Sequence, residues 1–199
     1  LLTNSVAKPT DPLLVALTIF IVSVGFLPIR TYLQKRIDEI YFRTRRNYQE
    51  QIERFGQKLT QLVDLPRINN EFRALVDNTL MPSNIFIFLP NLETKEYAAY
   101  GDPKPDTDIH FPADSGVIKL LHRSRDPIYL AQGQPWNDEL RSERVRFNLL
   151  KTAILAGLPG QDQLNGFVSI GAPRSGQRGY NFEELRFISS LTSQMAVAV

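Results

Sequence analysis

Apolar positions along this chain fall into three patterns, and each predicts a different kind of element. From Leu13 to Ile29 the run LLVALTIFIVSVGFLPI is apolar on every side and carries no charge. A helix of that length reaches roughly 25 Å, the short end of what crosses a hydrocarbon core about 30 Å thick. Pro12 suits the first helical position and Arg30 can snorkel, so the segment is expected to span a membrane. A secretory signal fits poorly, because the run exceeds a typical h-region and no small-residue cleavage site follows. A buried helix fits poorly too, since one domain of this size has little room to enclose such a run on all sides.

The second pattern has helical spacing. Residues 30–63 lack Pro, hold Gly56 as their one glycine and are rich in Arg, Gln, Glu and Lys. Ile37, Tyr41, Thr44 and Tyr48 step by four, three and four. Ile52, Phe55, Leu59 and Leu62 continue after a further step of four, as a stutter in a heptad repeat would. The expectation is a juxtamembrane helical stalk over residues 30–65 that pairs with a second copy as a coiled coil. The alternative is one amphipathic helix lying back on its own domain, and the aromatic residues at several core positions are poor knobs for a coiled coil. Asp64-Leu65-Pro66 ends or sharply kinks that helix.

The third pattern mixes strand and helix periods over residues 66–199. Ile68, Phe72, Leu75 and Val76 predict an amphipathic helix that stops before Met81-Pro82. Asn84–Leu89 and Lys95–Tyr100 read as strands joined by a turn, as do Leu149–Leu158 and Leu164–Ala172, so two hairpins are expected. A short helix over Val117–Leu121, an edge strand from Pro127 to Leu130 and a helix within Glu139–Asn148 lie between them. Asn181 with Glu184 makes a capping box for a last helix through Leu185, Ile188, Leu191, Met195 and Val199. This order predicts an α+β fold, an antiparallel sheet with helices packed on one face, and excludes a parallel doubly wound sheet.

Charge adds direction. Arg30, Lys35, Arg36, Arg43, Arg45 and Arg46 outweigh Asp38 and Glu39, which puts residues 30–199 on the cytoplasmic side of the expected span and residues 1–12 on the other. The basic cluster would face anionic lipid headgroups. The remaining sequence is net acidic, which argues against a nucleic-acid partner. There is no cysteine, so a disulfide scaffold, a thiolate metal site and a cysteine-linked chromophore are excluded.

Several stretches together resemble a GAF domain with its preceding helix, as found in bacterial membrane-bound sensor histidine kinases. They are RTYLQKRIDEIYFRTRRNYQEQIERF, LPRINNEFRALVDNTLMPSNIFIFL, FPADSGVIKLLHRSRDPIYL and GFVSIGAPRSGQRGYNFEELRFISSLTSQMAVAV. The resemblance implies a small-molecule pocket between the sheet and the segment around Trp136. Its candidate lining is Phe86, Phe88, Tyr97, Tyr100, Phe111, Ile118, Trp136, Phe147 and Ser169. It also implies a homodimer through the stalk and the terminal helix, and an output domain after Val199. The asparagine-lysine-phenylalanine-aspartate-glutamate signature of cyclic-nucleotide-binding relatives is missing, so no cofactor or ligand is assigned.

Catalytic chemistry is poorly represented. His110 and His122 stand outside any H-E-x-x-H arrangement, and the glycines at 157, 160 and 166 form neither a P-loop nor a dinucleotide fingerprint. His110 with Asp106 and Asp108 is a weak ligand cluster. The stretch Arg174–Gly179 could offer backbone N–H groups to an anion or simply turn the chain. The expectation is therefore a non-catalytic input and relay region of a two-component sensor histidine kinase. The alternatives are the same region on a cyclase or phosphatase, or an accessory subunit of a larger membrane complex.

Overall fold

The computed structural model describes residues 15–17, 19–20, 47–62, 64–130, 136–174 and 179–199. Two compact units, residues 1–47 and 48–199, are each taken by themselves. In the first, residues 15–17, 19 and 20 are helical, with exposed side chains. Among the described residues no helix is long and apolar enough to cross a membrane. This overturns the expected span at 13–29, most of which lies outside the described residues together with the basic flank 30–46. The run always fell short of the ~20 apolar residues that span comfortably. The membrane-lipid partner, the membrane localisation and the cytoplasmic assignment of residues 30–199 rested on that span and are withdrawn with it.

The stalk is also corrected. Residues 48–59 form helix α1, whose Phe55 is only 2% exposed. Tyr48, Ile52, Leu59 and Leu62 pack against the same core. The described part of the stripe expected to face a second copy is therefore spent inside the chain, while Ile37, Tyr41 and Thr44 lie outside the described residues. The physical reason lies in the aromatic side chains. The Tyr48 ring meets Phe187 at 5.0 Å and Phe55 meets Phe72 edge-on at 6.2 Å, contacts that a narrow knobs-into-holes seam does not offer.

Asp64-Leu65-Pro66 breaks the chain as expected, but it does so by starting a helix. Asp64 is the N-cap of α2 (Leu65–Leu80), with proline in its first turn where the missing N–H is harmless. The helix ends at Met81, in the left-handed region at φ 47°, and buries Ile68, Phe72, Val76 and Leu80. Strands β1 (Ile85–Asn91), β2 (Glu96–Tyr100) and β3 (His110–Pro112) follow, then α3 (Gly116–Arg123) and β4 (Ile128–Tyr129). The segment after Trp136 holds two short helices, α4 (Asp138–Arg141) and α5 (Arg144–Leu149), in place of the single one expected. Strands β5 (Thr152–Leu158) and β6 (Gly166–Gly171) precede α6 (Phe182–Ala198). The capping box of Asn181 and Glu184 is formed in both directions.

The six strands make one antiparallel sheet in the order β3-β2-β1-β6-β5-β4. Both expected hairpins are present, and β1 pairs with β6 at the centre. The helices do not gather on one face. Helices α1, α2 and α6 cover the face that carries Ile87, Ile154, Ala156, Leu158, Val168 and Ile170. Helices α3, α4 and α5 cover the other, which carries Phe88, Tyr97, Leu155 and Phe167. Neighbours such as Ile87 and Phe88 point to opposite faces and are both fully buried, so each face needs a cover.

Candidate functional site

On the face covered by α3–α5, alternate strand residues project a group of aromatic rings. Phe88 from β1 and Phe167 from β6 stack at 4.7 Å, and Phe111 from β3 meets them edge-on at 5.1 and 5.3 Å. Phe147 from α5 stacks on Phe111 at 5.2 Å, and Trp136 stacks outside it at 6.0 Å. Tyr97 from β2 closes the group, 6.0 Å from Phe167. The four phenylalanines are at most 1% exposed, so this aromatic chamber is filled by the protein's own side chains.

Among the described residues, several polar groups at the chamber are partnered. Burial pushes the Tyr97 hydroxyl pKa up, and that hydroxyl donates to the Leu164 carbonyl at 2.8 Å. Ser169 and Thr152 share a hydroxyl–hydroxyl hydrogen bond of 2.7 Å. Glu143, 5% exposed, pairs with Arg146, as a carboxylate this buried must. The Arg146 guanidinium also sits 5.7 Å over the Phe111 ring, and that of Arg144 sits 6.0 Å over Trp136. None of these groups forms a nucleophile–base pair.

Of the residues proposed from the sequence, Phe88, Tyr97, Phe111, Ile118 and Phe147 come together in this cluster, with Phe86 and Trp136 packed against its edge. Ser169 is fully buried and lies on the chamber side of β6, two residues from Phe167. Tyr100 does not join them. In β2 Tyr97 and Ala99 face the chamber, so Tyr100 falls on the opposite side by the two-residue alternation of a strand. Phe167, Glu143 and Arg146 were not foreseen. Strand alternation from Ser169 could have found the first; the two charged residues carry no sequence signal of their position.

Of the weak histidine cluster, His110 keeps Asp108 close, its Nδ1 3.1 Å from that residue's backbone carbonyl oxygen. His110 lies 3.6 Å from Glu96, whereas Asp106 pairs with Arg73. Among the described residues no group of three or more His, Cys, Asp or Glu is placed to hold a metal. His122 lines a cavity of about 200 Å³ with Ser124, Arg125, Gly157 at the end of β5 and the Pro159–Gln161 segment that follows it. Of the stretch Arg174–Gly179, Arg174 pairs with Asp77 at 2.6 Å and Gly179 sits at φ 77°, while residues 175–178 lie outside the described ones.

The opposite face presents a pair of helices. Tyr48 of α1 lies against Phe187 of α6, and Gly56, eight residues further along α1, lies against Gln194, seven residues further along α6. The two helices are therefore parallel neighbours in one register. Gly56 permits the approach, because a Cβ there would stand 3.2 Å from the Gln194 Oε1 atom.

No family model matches the sequence, and no curated protein matches it. Solved structures do resemble the fold. The GAF domain of an Acinetobacter phosphoenolpyruvate-protein phosphotransferase superposes with a TM-score of 0.56 at 12% identity, over 75% of this chain and 90% of that one. A methyl-accepting chemotaxis protein fragment gives 0.55 at 14% identity, over 72% and 93%. The chromophore-binding domain of a Stigmatella aurantiaca bacteriophytochrome gives 0.58 at 13% identity, over 76% and 59%. At these identities the likeness defines the fold, which is the α+β antiparallel-sheet fold of GAF domains.

Proposed function

We propose that residues 48–199 are the GAF-type regulatory module of a signalling protein, and that they work by relaying a change between α1 and α6. The observation that carries this reading is the parallel register of those helices, set by Tyr48 on Phe187 and Gly56 on Gln194. A displacement of the incoming helix is passed to the outgoing one without crossing the sheet. The filled chamber favours relaying over ligand sensing as the main input. A small planar ligand would have to enter by displacing Trp136 from Phe147, with Phe86, Phe88, Tyr97, Phe111 and Ser169 beneath it. The output to which the sequence resemblance points is a sensor histidine kinase.

The test uses the parent protein carrying Gly56→Leu, which crowds the Gln194 side chain at the contact between α1 and α6. Autophosphorylation with ATP should change at least fivefold in either direction, while the circular dichroism spectrum stays folded. Unaltered phosphorylation in a folded variant would refute the relay. A parent without phosphorylation at all would refute the kinase assignment.

A further inference from the structure

We infer that the Leu164–Asn165 dipeptide, where the β5–β6 hairpin returns, joins the aromatic chamber to the last turn of α6. This rests on α6 being the output helix of the module proposed above. The two adjacent residues are held on opposite sides of the sheet. The Leu164 carbonyl accepts the buried Tyr97 hydroxyl at 2.8 Å, and Leu164 belongs to the chamber cluster at 1% exposure. The Asn165 side chain turns the other way, and its Nδ2 donates to the Ala196 carbonyl in α6 at 2.9 Å. Ala196 belongs to the helical cluster of the opposite face.

The hairpin return has little slack with which to absorb movement. The Asn165 N–H closes it by donating to the Leu158 carbonyl at 2.9 Å. A Cβ on Gly160 would fall 2.5 Å from Asn165 Oδ1. Gly166, at φ 159°, passes so close to β1 that its Cβ would fall 2.6 Å from the Phe88 carbonyl oxygen. The Tyr97 hydroxyl cannot move without either losing its buried partner, which is costly, or carrying Leu164 with it. Any rearrangement of the rings around Phe167 that shifts Tyr97 is therefore delivered through Asn165 to the end of α6. Asn165 is a positioning residue in this scheme.

The test is amide hydrogen exchange on the whole chain, comparing wild type with Asn165→Asp, Tyr97→Phe and the double variant. Asn165→Asp keeps the side-chain shape and removes the donor, and Asn165→Ser serves if the aspartate variant does not fold. Exchange at Gln194–Ala198 should quicken about tenfold in the Asn165 variant and about threefold in Tyr97→Phe, given roughly one hydrogen bond lost in each. The double variant should exchange no faster than the Asn165 variant alone, because both substitutions cut the same connection. Amides at Phe72 and Val76 in α2 should not change. Independent, multiplying effects would overturn the inference, as would a Tyr97→Phe variant with wild-type exchange in α6 or equal acceleration in α2. Exchange reads the connection alone. A positive result here with phosphorylation unmoved by Gly56→Leu would therefore sink the relay function and leave the connection standing.

Discussion

Replacing Phe167 by alanine probes the chamber most sharply. The ring is fully buried and touches Phe88 at 4.7 Å, Phe111 at 5.3 Å and Tyr97 at 6.0 Å. A buried Phe→Ala change costs about 3–5 kcal/mol, the lost transfer energy plus the cavity left behind. The upper half of that range is expected, because β6 lies between β1 and β5 and cannot shift to fill the space. Against a typical domain stability of about 5–15 kcal/mol, the variant should remain folded but marginal. In urea, with a slope of about 2 kcal/mol per molar, the midpoint should fall by roughly 2 M without a change in slope. The cavity is lined by aromatic rings, so it should stay dry and bind benzene, which would restore part of the midpoint. Phe86→Ala, at the half-buried edge of the same cluster, should cost clearly less. A loss below about 1 kcal/mol for Phe167→Ala, or no response to benzene, would refute the filled chamber.

Three other perturbations test separate parts of the account. Arg73 donates to the Ile85 and Tyr100 carbonyls at 2.8 and 3.2 Å and pairs with Asp106, so Arg73→Ala should destabilise by about 2–3 kcal/mol. Limited proteolysis should then cut first within residues 101–109. Asn181→Ala removes the capping box of α6 and should lower the thermal midpoint by about 2–4 °C for roughly 1 kcal/mol, read by calorimetry. Burial, then the nearby Glu184 and Tyr129, raise the Tyr180 hydroxyl pKa above its ordinary 10.0, and that hydroxyl donates to the Gly171 carbonyl at 2.6 Å. The folded state thus holds this proton more tightly than the unfolded chain. The contribution is complete below pH 10 and lost as the pH rises above it. Urea midpoints measured upward from pH 9 should fall less steeply in Tyr180→Phe than in wild type.

The elements that could be read from the sequence are those whose local chemistry admits one answer. Asn181 with Glu184 names a helix start, and the apolar strands on either side of Pro159–Gln163 name a hairpin. The stripe from Tyr48 to Leu62 admits two answers, because helical spacing is the same whether the partner is a second copy or the chain's own core. Its aromatic members, Tyr48 and Phe55, were the clue to the second. The run at 13–29 stood at the threshold length for spanning, where composition alone decides poorly. Placing the helices on one face overlooked pairs such as Ile87-Phe88 and Phe167-Val168, in which both neighbours are apolar. At the site, Phe88, Tyr97, Phe111 and Phe147 could be found because large apolar residues in short strands seek a core. Tyr100 was misplaced by the parity of one strand, for which an odd offset from Tyr97 means the opposite face.

Helices α1 and α6 run side by side in parallel, and the relay depends on it. The absence of cysteine allows clean paired spin labels in the whole chain. Cysteines would replace the exposed residues Gln57 and Val197 in one sample, and Gln57 and Phe182 in another. Fifteen residues of α6 separate the two second sites, roughly 22 Å along the helix axis. The Gln57→Cys/Val197→Cys distance should be the shorter of the two by more than 10 Å, in keeping with that rise. Equal distances, or the reverse order, would contradict the parallel register and the relay built on it.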